Sequence, residues 1–174
     1  PSSTQNSSSG TNSSSGNSSV PTNTGSSSPG SKNEAREVIP NAAYDNVMAG
    51  DQQYNAKNYA AALESYKRAA EIVPNSPTVN FYLGDAYAKS DKYAEAAAAY
   101  QKAIENRPTF VEAYTALAGN LDRLNRKDEA IEWLKKGVSA VPDSVGLWRD
   151  LGSRMLSSPK ERGGALPILQ HTVE

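Results

Sequence analysis

Ser157-Ser158-Pro159-Lys160 spells Ser-x-x-Lys, the spacing at which a lysine can activate a serine nucleophile for acyl transfer. That chemistry needs its serine at the start of a buried helix. Here the tetrapeptide falls between two helix-patterned segments, so the match reads as coincidence. His171, the single histidine, stands close to the end of the chain with no second metal ligand beside it, and reads as a solvated helix residue. Gly30-Ser31-Lys32 lacks the first glycine and the preceding strand of a phosphate loop. The absence of cysteine removes disulfide frameworks and Cys-based zinc sites. An enzyme needs a convergent set of titratable groups. None assembles here, so the sequence reads as non-enzymatic, with no catalytic residue, metal or cofactor.

What the chain does carry is a period. Pro74, Pro108 and Pro142 lie 34 residues apart, each closing a helix-patterned segment. In the same register fall Ala62, Ala96 and Ala130, then Tyr66, Tyr100 and Leu134, then Ala69, Ala103 and Gly137, with Gly50, Gly84 and Ala118 ahead of them. A fixed period of this size marks a solenoid, in which one supersecondary unit stacks on copies of itself and offers a long surface rather than a cleft.

Each unit reads as two helices. In the second, Phe81, Leu83, Gly84 and Tyr87 pattern a helix over roughly 77–90, and Ser90-Asp91-Lys92 makes a polar turn. Tyr93, Ala96, Ala97, Tyr100, Ala103 and Ile104 pattern the next helix, which ends at Arg107-Pro108 because a residue before proline leaves the α region. With units starting near 43, 77, 111 and 145, small residues occupy the eighth and twentieth places and a large one the 24th. Glycine inside a helix costs about 1 kcal/mol relative to alanine, so its recurrence at Gly50 and Gly84 implies a contact that tolerates no Cβ. A fourth unit is partial: Trp148, Leu151, Gly152 and Met155 pattern its first helix. A one-residue insertion brings Ala165, Leu166, Leu169 and Val173 into the second.

These units resemble tetratricopeptide repeats. The resemblance rests on Leu83, Gly84, Tyr87, Ala96, Tyr100, Ala103 and Pro108 in the second unit, and on Tyr114, Leu117, Ala118, Leu121, Ala130, Leu134 and Pro142 in the third. Asn80, where a large residue is usual, departs from the pattern, as do Asn46 and Gln53 in the first unit. The resemblance implies an all-α, right-handed α-solenoid of antiparallel helix pairs. Three full repeats occupy about 43–76, 77–110 and 111–144, with a closing pair over 145–174. Asn33–Pro40 reads either as a short helical turn leading in or as a relic of an earlier repeat.

By the same resemblance, the first helix of each pair lines a concave groove. The lining places hold Tyr44, Val47, Asp51, Tyr54 and Asn55 in the first unit and Phe81, Tyr82, Asp85 and Lys89 in the second. They hold Glu112, Thr115, Asp122 and Arg123 in the third, and Arg149 in the fourth. Members that clamp an acidic chaperone tail carry Lys and Asn where this chain has Val47, Asp51, Tyr82 and Ala116, so that reading is disfavoured. The expected partner is a protein or peptide segment with an apolar or aromatic anchor against Tyr54, Phe81 and Tyr82 and a basic group facing Asp51 and Asp85. Two alternatives stay open: Phe81 and Tyr82 merely cover a neighbouring helix, or Lys89 and Arg123 neutralise the two carboxylates.

Residues 1–31 hold 14 serines and no charge, with Val20 their single large apolar residue. Such a segment cannot offset the entropy of ordering its backbone, so residues 1–32 are expected to be a disordered linker ahead of a domain over 33–174. Protected amides across Asn12–Ser28 in hydrogen exchange would contradict this. Three Asn-Ser-Ser sequons, at Asn6, Asn12 and Asn17, lie in this tract and arise readily by chance. The net charge of −1 gives no signal for nucleic acid, and no apolar run is long enough to insert in a membrane. Opening on Pro1, the chain reads as a processed or excised product, and its uncharged spacer points to a tethered extracytoplasmic domain. Besides a binding scaffold, self-association through the stack ends and an accessory role to an enzyme remain as rival readings.

Overall fold

The proline period sets the helix ends. In the computed structural model, which describes residues 37–170, the helices are α1 (Asn41–Asn55), α2 (Tyr59–Ile72), α3 (Pro77–Lys89), α4 (Tyr93–Asn106), α5 (Val111–Arg123), α6 (Lys127–Ala140), α7 (Val145–Ser157) and α8 (Ala165–Gln170). A 3-10 turn over Arg162–Gly164 precedes α8. Each helix packs on the one before and the one after, while α3 with α5 and α5 with α7 touch more lightly. The described residues therefore form an α-solenoid of antiparallel pairs. None of their helices is long and apolar enough to cross a membrane. The tail over 1–32, its sequons, His171 and Val173 lie outside the described residues.

Turns repeat as faithfully as helices. Lys57, Asp91 and Asn125, spaced by 34, are the non-glycine residues with positive φ among those described, at 63°, 58° and 58°. Each reverses the chain within its pair, at a position where asparagine and aspartate are tolerated better than lysine. Between pairs, Ser76 caps α3 by accepting the Val79 N–H at 3.0 Å, with Pro77 at the first helical position. Ser144 does the same for α7 through Leu147.

From the second unit on, the fourth place has a structural task that residue type alone concealed. Asn80 is 2% exposed, and its Nδ2 donates to the carbonyls of Pro74 at 3.0 Å and Ser76 at 2.7 Å. In the next units the Tyr114 hydroxyl donates to the Pro108 carbonyl at 3.0 Å, and Trp148 Nε1 to the Pro142 carbonyl at 2.6 Å. Three unlike side chains each tie down the carbonyl of the preceding proline, so the departure at Asn80 keeps the bond and gives up only bulk.

The core runs along the stack in two clusters. Val47, Ala62, Leu63, Tyr66, Ala69, Val79 and Ala86 form the first; the second extends from Ala96 to Ala165 and includes Leu134, Val138, Leu147 and Leu151, with Trp133 and Trp148 against it. At the eighth places, a Cβ on Gly50 would stand 2.5 Å from the Tyr66 ring, on Gly84 2.6 Å from the Tyr100 ring, and on Gly152 2.5 Å from Leu169. In the third unit, Ala118 takes that place and the 24th residue is the smaller Leu134. Ahead of α1, Glu37–Pro40 is not helical. This corrects the lead-in helical turn over the part that is described. Pro40 keeps Ile39 out of the α region, while the Glu37 side chain is held by residues far along the chain.

Candidate functional site

Asp51 and Asp85 follow the two glycines on which tyrosine rings lie. Because the glycine has no side chain, the ring crosses the helix and its hydroxyl emerges beside the next residue. Tyr66 donates to Asp51 Oδ1 at 2.6 Å, and Tyr100 to Asp85 Oδ1 at 2.5 Å. The Gly-Asp dipeptide and the tyrosine 15 residues beyond its aspartate are thus one unit of construction. The third unit lacks all three parts, having Ala118-Gly119 and Leu134 instead.

Between these helices lies a cavity of about 300 Å³ lined by Asp51, Tyr54, Asn55, Tyr66, Tyr82 and Asp85. Tyr66 and Tyr82 stack with centroids 5.7 Å apart, and Tyr54 meets Tyr59 edge-on at 5.3 Å. Burial, reinforced by the Asp51 hydrogen bond, pushes the Tyr66 pKa far up. Burial and the Asp85 charge do the same for Tyr100. Tyr54 and Tyr82 are raised as well, by burial first and then by nearby carboxylates. All four phenols therefore remain protonated at neutral pH. The Asp85 carboxyl is also held above its ordinary value, since burial outweighs the Tyr100 hydrogen bond and the charge of Lys89. Neither Asp51 nor Asp85 makes an ion pair among the described residues. The pocket offers carboxylate acceptors and aromatic faces, a combination suited to a cation.

Of the residues expected in the groove, Asp51, Tyr54, Asn55, Tyr82 and Asp85 come together here. Val47 does not: it is 5% exposed within the first core cluster, because its place on α1 turns toward the neighbouring helices. Phe81 is half-buried in a ring cluster, 5.6 Å from Tyr100 and 4.9 Å from Phe110, which leaves it partly covered. Tyr44 is half-buried; Lys89, Glu112, Thr115 and Arg149 are exposed and do not line the cavity. Asp122 is paired with Arg154 at 3.0 Å. Arg123 lies over the Tyr93 ring, 5.9 Å from its centroid, so it does not neutralise the two pocket carboxylates.

Sequence reasoning missed Tyr66 as a pocket residue, having read it as core. The signal that could have found it was the joint presence of Gly-Asp and a tyrosine in two units and their joint loss in the third. Ser157 Oγ donates to the Arg154 carbonyl at 2.7 Å, and Lys160 is exposed in the turn that follows. Among the described residues no group of three His, Cys, Asp or Glu side chains could hold a metal ion.

The sequence profile described as tetratricopeptide repeat matches residues 47–109 and 81–145, together more than half of the chain. No curated protein matches it. Among solved structures, the chain is similar to the crystal structure of MamA, with TM-score 0.67 and 23% identity over 77% of this chain and 78% of that one. It is also similar to the first TPR of Spaghetti (RPAP3) bound to the HSP90 peptide SRMEEVD, with TM-score 0.60 and 18% identity over 69% of this chain and 98% of that one. At these identities the likeness is one of fold. The repeat register, the helix pairs and the profile agree: this chain belongs to the tetratricopeptide repeat family.

Proposed function

We propose that this protein is a non-enzymatic protein-interaction scaffold whose pocket on the first two repeats takes a basic side chain from an extended or helical protein segment. The observation that carries the reading is Asp85. It is a carboxylate held above its ordinary pKa by burial, beside a second carboxylate and aromatic rings, in a cavity where neither acid has an ion-pair partner among the described residues. A guanidinium or ammonium group entering there would relieve the desolvated charge and lie against Tyr54 and Tyr82. The HSP90 peptide in the RPAP3 complex ends in acidic residues. Two carboxylates in the pocket would repel such an end, so the partner's charge is taken to be the opposite one.

A capped peptide with one arginine beside a leucine or phenylalanine serves as probe. Changing Asp51→Asn and Asp85→Asn together should weaken its binding about tenfold, roughly 1.4 kcal/mol, and flatten its salt dependence. The helical signal should be unchanged. Equal affinity for the parent and the double variant would refute the reading.

The raised Asp85 pKa also gives a pH prediction. Unfolded aspartate titrates at about 3.9, so below that value the carboxyl is neutral in both states. As pH climbs through the higher folded value, the folded state must bear a desolvated charge and loses stability. The urea midpoint of the parent relative to Asp85→Asn should therefore fall as pH rises across that window, and the variant should be at least as stable at neutral pH. A difference independent of pH would remove this account.

Self-association is a second reading, favoured by Leu166, 65% exposed, and Leu156, 43% exposed, toward the closing end of the stack. Sedimentation over a concentration series separates the two, because a concentration-independent monomer removes the second.

A further inference from the structure

The first turn of α3 has a donor that its own cap leaves over. Pro77 has no N–H, the Val79 N–H goes to Ser76 Oγ and the Asn80 N–H to the Ser76 carbonyl. The Thr78 N–H is met instead by Glu37 Oε2, at 3.3 Å and from 41 residues away. The same oxygen accepts from Thr78 Oγ1 at 2.5 Å and from Arg107 Nη2 at 3.1 Å, the latter 70 residues away in sequence. Three donors, from the start of α3 and the end of α4, thus converge on one carboxylate oxygen.

Arg107 has a second hold besides Glu37. The Arg107 guanidinium lies over the Phe110 ring, 4.9 Å from its centroid, and Phe110 in turn lies 4.9 Å from Phe81. Arg107 is thereby pre-set with its charge toward the α3 N-terminus, where the helix dipole adds to the attraction for an anion. The occupant is held more loosely. Pro40 is fixed, its carbonyl accepting the Ala43 and Tyr44 N–H groups at 2.9 Å. Glu37, Val38 and Ile39 make no backbone hydrogen bonds among the described residues, Val38 is 87% exposed, and beyond the carboxylate their anchorage is Ile39 against the first core cluster. Segments held by so few contacts open without unfolding the rest. Phe81 lies in turn 6.2 Å from Tyr82, so two rings lead from Arg107 to a side chain that lines the cavity.

We infer that the Thr78–Arg107 notch is a carboxylate-binding subsite beside the pocket, kept filled by the chain's own Glu37, so that an acidic side chain of a partner enters by displacing residues 37–39. The strap is a tethered competitor. Its effective concentration is high because the connection is short, and an incoming carboxylate sees an affinity reduced by the fraction of molecules with the notch open. The fitting partner segment would carry an acidic residue close to its basic one. The inference rests on the notch alone and stands whether or not the pocket takes a cation.

Acetate, titrated into the full chain at constant ionic strength against chloride, is the probe, and the Thr78 amide and Arg107 Nε–H resonances are the readout. In Glu37→Ala, both should shift saturably, with a midpoint at least about tenfold below that of the parent. Adding Arg107→Gln should abolish saturation at the Thr78 amide, the resonance common to all three proteins. Equal midpoints in parent and Glu37→Ala, or the same unsaturated drift in all three proteins, would overturn the proposal. A second measurement needs no ligand: the backbone order parameters of Val38 and Ile39 from nitrogen-15 relaxation should fall in Arg107→Gln, which leaves the strap sequence intact, while those in α5 and α6 stay unchanged. Unaltered order parameters at Val38 and Ile39 would mean that the notch does not hold the strap.

Discussion

Gly84→Ala is expected to lower stability by about 2 kcal/mol, although alanine is the better helix former by about 1 kcal/mol. The new Cβ would stand 2.6 Å from Tyr100 Cε1 and 2.7 Å from Cδ1. Tyr100 cannot simply swing aside, since it is 1% exposed and its hydroxyl is tied to Asp85. Overpacking of this kind costs about 1–3 kcal/mol, and moving the ring strains a hydrogen bond to a carboxylate, worth about 1.5–3 kcal/mol. The third unit supplies the control, because there alanine and leucine occupy the two places. In a Tyr100→Leu background, the cost of Gly84→Ala should vanish. A double-mutant cycle on urea midpoints measures that coupling directly. Should Gly84→Ala prove neutral or stabilising in the parent, the ring contact is not what demands glycine.

Removal of the closing pair should have the largest effect of all. Leu147, Leu151, Met155 and Ala165 belong to the same buried cluster as Leu134 and Val138 of α6. Deleting the chain from Val145 onward withdraws those side chains and opens α6 to water. Each large apolar side chain is worth about 1.5–3 kcal/mol on burial, so the sum is a large part of the roughly 5–15 kcal/mol that holds an ordinary domain folded. The melting temperature and the solubility should fall together, with the exposed α6 face driving association. Leu151→Ala gives a graded version, expected to cost about 2–5 kcal/mol while leaving the protein monomeric. A truncated chain that is monomeric and melts with the parent would show that α7 and α8 do not close the stack.

Glycine facing tyrosine, and alanine facing leucine, were legible in the residue pattern because a solenoid repeats its contacts with its period. Each pair meets only its neighbours, so the eighth place meets the 24th in every unit and the complementarity appears as covariation along one chain. The partial fourth unit, once its insertion is allowed for, keeps the contact but not the pairing, because there glycine faces leucine: Leu169 stands 2.5 Å from where a Gly152 Cβ would be. Helix ends were equally legible, since proline, the polar turns and the caps act within a few residues.

What the sequence alone determined, then, is what recurs: the pairs, their lengths, their order and the small-to-large packing between them. The tertiary structure decided what happens once. Asp122 takes Arg154 as its partner rather than any residue at a groove place, and Val47 sinks into the core while Asp51, four residues on, lines the cavity. Asn80, Tyr114 and Trp148 share one hydrogen-bonding task although their side chains have little else in common. Glu37 finds Arg107 across 70 residues of chain. Such pairings depend on distance and direction in the folded stack, to which periodicity is blind, because a contact made only once leaves no pattern for a period to display.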